Sequence, residues 1–162
     1  MMRLLTAGAA AIAMWLVVAT QVPTHPRVTL SDVVLGAVIT QPFGCTSLDL
    51  EPFDALCPWH HIHTGVDLAA AAGTDVHSAT YGTAWTGFDP SACGVFVVVL
   101  EDAHVKVVYC HLSASRVRSG DSVTPGQVIG LVGDTGLATG PHVHFQVDVD
   151  GVPVDPASWL GS

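Results

Sequence analysis

The chain has 162 residues, a length that suits one catalytic domain, and 49% of them are apolar, enough to bury an ordinary core. Charged residues make up only 12%, and acidic side chains outnumber basic ones 14 to 5, for a formal net charge of -9. One lysine, Lys106, and four scattered arginines offer no basic face to displace counterions from phosphates, which excludes nucleic acid as a partner and argues against electrostatic capture by anionic lipids or wall polymers.

Residues 1–20 open with Arg3 and run into an apolar stretch of about 16 residues, broken only by Thr6 and Gly8, the layout of a secretory signal. The stretch is expected to form one hydrophobic helix, shorter than the ~20 residues that span a bilayer comfortably. Cleavage near residues 19–21 lacks a clean A-x-A site, so a signal peptide and a retained membrane anchor both stay open. Both place the rest of the chain outside the cytoplasm, secreted or in the cell envelope. Residues 21–34, with two prolines in the first half and no periodicity, read as a linker. The folded domain is expected over 35–162.

Residues 38–41 form a short strand ended by Pro42-Phe43-Gly44. Residues 46–59 follow neither period and read as a long loop; in compact domains such loops are functional or stapled. From Thr74 onward the signals are β. Strands are expected at 84–88 and 95–100, then at 104–111 after a tight turn, and at 128–132 after Thr124-Pro125-Gly126. Residues 133–140 make a Gly-rich loop. Next, Val143, Phe145, Val147 and Val149 alternate with His142, His144, Gln146 and Asp148, a strand with one apolar and one polar face. With 16 Gly and 10 Pro, the chain suits short strands joined by tight turns. The fold class is therefore all-β, built of antiparallel sheets.

Four cysteines in an exported chain point to disulfides. Three pairings exist and spacing does not choose rigorously among them. The favoured one joins Cys45 to Cys57 across the loop and Cys93 to Cys110 across the predicted hairpin. The absence of a C-x-x-C pair argues against zinc–thiolate ligation.

Nine histidines are many for so weakly charged a chain. Five of them fall in three short segments: His63-Thr64-Gly65-Val66-Asp67, Tyr109-Cys110-His111, and His142-Val143-His144. Read as extended backbone, His63 and Asp67 emerge on one side, Tyr109 and His111 share a face, and so do His142 and His144. Hydrolytic zinc sites use three His or carboxylate ligands and leave a fourth position open. His63, Asp67 and His144 supply such a set. Two histidines then remain for proton transfer and oxyanion stabilisation. His60 and His61, next to the first segment, read as groove-wall or structural residues.

The same segments carry a family resemblance. H-T-G-V-D, Y-C-H-L-S and T-G-P-H-V-H-F-Q-V resemble the signatures of lysostaphin/LytM-type zinc endopeptidases. The likeness extends from Gln41-Pro42-Phe43-Gly44 to Val154-Asp155-Pro156, about three quarters of the chain in the family's order. The resemblance implies a lysostaphin-like duplicated-hybrid β fold with one Zn²⁺ at the floor of a narrow groove. It also implies action on peptidoglycan peptides, in the cross-bridge or the stem, and the chain is expected to be a monomer. By resemblance His63, Asp67 and His144 are the zinc ligands, and His111 and His142 the catalytic pair. Tyr109 is a candidate for positioning His111 or touching substrate, and Gln146 for supporting a ligand from behind. Gln146 stands where many relatives carry Glu, Cys110 replaces a small residue, and the Cys45–Cys57 loop is longer than the minimal family version. Three rivals follow from the same sequence: a non-catalytic module of this fold that positions another wall hydrolase, an exported metal-sequestering protein, and a peptidase acting on proteins.

Overall fold

The computed structural model describes residues 28–161. The predicted export segment and residues 21–27 of the predicted linker lie outside the described residues. In chain order the elements are α1 (Leu30–Val33), β1 (Val38–Gln41), β2 (Gly44–Thr46), β3 (His61–His63), β4 (Val66–Ala69) and β5 (Asp75–His77). There follow β6 (Gly82–Asp89), β7 (Gly94–Leu100), β8 (Val105–Leu112), β9 (Ala114–Ser115), β10 (Ser122–Val123) and β11 (Val128–Leu131). The last elements are β12 (His142–Val149), β13 (Val152–Val154) and α2 (Pro156–Leu160).

The strands form a large sheet in the order β1-β4-β12-β8-β7-β6-β10, with β13 also paired to β12. A three-stranded sheet, β5-β11-β9, and the separate pair β2-β3 complete the fold. Every pairing is antiparallel. Valine-rich strands supply the reason: β-branched side chains pack well on a pleated surface. Val97, Val99, Val107, Val143, Phe145 and Val147 are fully buried on one face of the large sheet, in one core cluster with Val76 and Ile129 of the smaller sheet. Each such side chain contributes roughly 1.5–3 kcal/mol by leaving water. Tyr109 ties the layers together, its hydroxyl oxygen accepting the Ala79 N–H at 2.8 Å.

The predicted hairpin forms as β7 and β8. Residues 47–60 remain mostly irregular between β2 and β3, closed by the Cys45–Cys57 disulfide at a Cα separation of 5.3 Å. Cys93 bonds Cys110. Each link adds ~2–4 kcal/mol by restricting the unfolded chain.

Two expectations need correction. Leu30, Val33 and Val34, inside the predicted linker, are buried in the same core as the large sheet, so packed structure begins before residue 35. A single four-residue turn is too short to show a helical period, so the sequence carries no sign of it. Second, His63 and Asp67 do not share a strand. His63 ends β3, Asp67 lies in β4, and the chain changes sheet between them.

Candidate functional site

Register brings the first two site residues together. In the antiparallel pair β4–β12, Asp67 stands opposite His144, where facing Cβ atoms lie ~4.5–5.5 Å apart. Asp67 Oδ1 and His144 Nδ1 are accordingly 3.2 Å apart. The third arrives from the neighbouring pair: His63 Nε2 lies 2.9 Å from His144 Nδ1 and 3.1 Å from Asp67 Oδ1. Gly65 permits this approach. A Cβ there would sit 2.5 Å from the Phe145 carbonyl oxygen and 2.9 Å from the His144 ring. Only a residue without a side chain lets the backbone pass so close to β12.

The outer nitrogens decide what the inner ones are. The Nδ1–H of His63 donates to the Pro42 carbonyl at 2.9 Å, and the Nε2–H of His144 donates to Gln146 Oε1 at 3.2 Å. Two imidazole lone pairs and a carboxylate oxygen therefore point at one another, all within 4.8 Å. Such a cluster repels itself unless positive charge sits in its middle. Where no cation sits there, protons on the inner nitrogens meet the same demand. Burial opposes the charge on Asp67, yet hydrogen bonds from His144 and His63 hold its carboxyl far below the usual carboxylate range. Burial likewise opposes charge on His63, but its bonds to Asp67 and Pro42 carry its pKa above the ordinary histidine value. Two neutral imidazoles and a carboxylate, with their outer nitrogens anchored, suit a metal cation.

Beside this cluster stand the other two histidines. His142 emerges from β12 by simple alternation with His144; its Nδ1–H donates to the Gly140 carbonyl at 2.8 Å, and its Nε2 lies 3.8 Å from Asp67 Oδ1. His111 faces it at 4.7 Å between ring centroids, with Nδ1–H donating to the Thr135 carbonyl at 2.9 Å. In the neutral tautomer that these bonds select, both rings turn an Nε2 lone pair away from their anchors. Burial pushes the pKa of His111 below the ordinary histidine value. Asp67, His111, His142 and His144 line one groove of about 380 Å³, with the buried His63 in contact with Asp67 and His144, and Leu48, Leu50 and Glu51 of the stapled loop wall one side.

Tyr109 does not belong to this groove. It is fully buried on the opposite face of β8, its ring 5.3 Å from that of Phe145, which removes it from contact with His111 or substrate. Alternation fails between Tyr109 and His111 because Val97 pairs with Tyr109 while Val95 pairs with Leu112. Cys110 and His111 together oppose Phe96 alone, a β-bulge that turns both residues outward. Gln146 does line the groove. Its Oε1 accepts from Thr64 Oγ1 at 2.7 Å as well as from His144, and its Nε2 donates to Asp148 Oδ1 at 2.6 Å. An amide can bridge an N–H and a carboxylate; a glutamate here would press two carboxylates together. Asp148 is itself buried and paired with Lys106 at 2.7 Å. Asp148 and Lys106 were legible only as neighbours of Gln146 across β12 and β8, Thr64 lies in the link between β3 and β4, and the carbonyls of Pro42, Thr135 and Gly140 leave no side-chain signal.

Residues 61–156 match peptidase family M23. The chain belongs to that family. It is 38% identical over 120 residues to the DD-carboxypeptidase/endopeptidase Mpg of Neisseria meningitidis, covering 74% of this chain and 26% of that protein. It is 38% identical over 93 residues to the peptidoglycan DD-endopeptidase ShyA of Vibrio cholerae, covering 57% of this chain and 22% of ShyA. The chain therefore spans about a quarter of the length of these relatives. Among solved structures, the catalytic domain of lysostaphin from Staphylococcus simulans superposes with a TM-score of 0.64 at 30% identity, over 78% of this chain and 93% of that one. A zinc-containing peptidase from Vibrio cholerae does so with a TM-score of 0.63 at 33% identity, over 74% of this chain and 36% of that one. The M23 domain described here is thus a peptidase-family domain of the lysostaphin type, with relatives that act on cell walls.

Proposed function

We propose that this M23 domain is a zinc-dependent endopeptidase that hydrolyses peptide bonds in peptidoglycan, acting as a monomer outside the cytoplasm. The observation that carries the proposal is the convergence of His63 Nε2, Asp67 Oδ1 and His144 Nδ1 beside two imidazoles whose Nε2 atoms are free to accept protons. This donor set is that of hydrolytic zinc sites, with three protein ligands and one open side. Bound zinc supplies an acidified water and a Lewis acid for the scissile carbonyl.

The chain's own residues do the rest. Pro42 and Gln146 fix the two ligand rings in the tautomer that presents a lone pair inward. His142, whose Nε2 lies 3.8 Å from Asp67 Oδ1, would serve as the base for a water that a bound metal acidifies. His111, facing His142, stabilises the oxyanion or protonates the leaving amine, in either role with the proton that His142 takes from water and that passes to His111 Nε2. The groove holds the peptide against these groups, with the stapled loop as one wall.

The test is mass spectrometry of fragments released from defined cross-linked peptidoglycan by the zinc-loaded domain. New amine and carboxyl ends at a peptide bond are expected, lost in strong chelator and restored by zinc. A folded, zinc-loaded domain that binds the wall and releases nothing would instead support the non-catalytic module. Cleavage of casein with intact sacculi would move the substrate to proteins.

A further inference from the structure

We infer that the Cys93–Cys110 disulfide is a clamp that holds His111 in its working position, a positioning role beyond simple cross-linking. The inference rests on His111 acting in catalysis as proposed above. His111 lies in the bulge of β8 with a φ of +63°, a left-handed conformation that crowds the Cβ of any residue but glycine. Such a residue keeps its place only where the surroundings over-determine it. Cys93 does so at two consecutive positions. Its sulfur is bonded to Cys110, and its carbonyl accepts the His111 N–H at 2.8 Å.

The rest of the clamp closes around the imidazole. Thr135, whose carbonyl takes the Nδ1–H of His111, also accepts the Val95 N–H at 2.9 Å and donates to the Leu112 carbonyl at 2.7 Å. Gly94, next to Cys93, has no room for a side chain, since a Cβ there would meet Thr135 at 2.3 Å. The bulge is therefore bound on both flanks to the segment that begins at Cys93. Both half-cystines border the groove, and Cys110 stands opposite the ligand His144. Releasing the sulfur bond frees the bulge to relax toward regular pairing, which would turn the His111 side chain out of line while leaving His63, Asp67 and His144 on their own strands.

The experiment compares the zinc-loaded wild type with Cys93→Ala/Cys110→Ala, each with and without His111→Ala. Readouts are bound zinc, kcat and KM on a defined peptidoglycan peptide, and the Cε1–H NMR resonance of His111. Expected are full zinc occupancy, kcat about 10²-fold lower as for a misplaced reacting group, and a KM changed far less. On the His111→Ala background, removing the disulfide should lower kcat by no more than about twofold, because the two act through one group. The His111 resonance should shift or broaden. A double-cysteine variant with wild-type kcat, or an equal fractional loss with and without His111, overturns the clamp. Cys93→Ser/Cys110→Val, which keeps a β-branched residue in the strand, serves if the alanine pair folds poorly. If the wild type hydrolyses no wall peptide, the proposed function fails separately; an unchanged His111 resonance in the cysteine variants still overturns the clamp, and a changed one upholds it.

Discussion

Two neighbouring strands deliver the histidines of this groove in opposite ways. In β12, strict alternation sends His142, His144 and Gln146 to the groove and Val143, Phe145 and Val147 to the core. In β8 the same rule holds up to Cys110 and then breaks, because a bulge adds one residue opposite Phe96 and rotates His111 outward at positive φ. A regular strand positions chemistry through its period, whereas the bulge does so through contacts made by Cys93 and Thr135. The first kind of site is robust and readable; the second depends on its surroundings.

The largest effects should come from the cluster between the strands. Asp67→Ala and His63→Ala should abolish zinc binding and hydrolysis together, measured as metal per chain and released peptide; full activity in either removes it from the ligand set. Next come the histidines that the two strands deliver. His142→Ala and His111→Ala should each keep zinc bound while turnover falls by about 10²-fold or more. Loss of metal in either variant would erase the division between ligands and catalytic pair.

A smaller effect separates the strands by pH. Burial lowers the folded pKa of His111, so its neutral form adds stability above the unfolded value of about 6.5, lost as pH falls through the lower folded value. His63, with a raised pKa, works in the opposite sense in metal-free protein, adding stability below about 6.5 that is lost as pH rises through its folded value. Urea midpoints of metal-free wild type and His111→Ala at pH 7 and pH 5 isolate the first term. The variant should lose less stability on acidification than the wild type, and an equal loss would contradict the burial argument.

The smallest effect tests the backbone. At His142, in regular strand, alanine should be more stable than glycine by about 0.5–1 kcal/mol. At His111 the order should reverse by about 1 kcal/mol, since glycine accepts a φ of +63° freely. The same order at both positions, read from denaturation midpoints, would mean that the bulge is not strained.

These contrasts mirror what could be read in advance. The alternation of residues 142–149, the valine-rich hairpin and the presence of disulfides were legible because side-chain period and cysteine context are local properties, whereas the pairing was a preference that only the structure bears out. Tyr109 and His111, two residues apart, read as sharing a face, and that reading fails at the bulge. Nothing in Tyr-Cys-His shows an inserted residue, because a bulge is a relation between two strands. His63 and Asp67 also read as one extended stretch, although they end and begin strands of different sheets.

The sequence by itself determined the fold class, the antiparallel strands and the residue types able to hold a cation and move protons, because these depend on composition, period and side-chain chemistry. Only the tertiary structure decided which atoms meet. Register set Asp67 against His144, Gly65 let His63 reach them, and Cys93 and Thr135 turned His111 to face His142. Those meetings are between residues far apart in the chain, and their partners are often backbone carbonyls, which no side-chain pattern records.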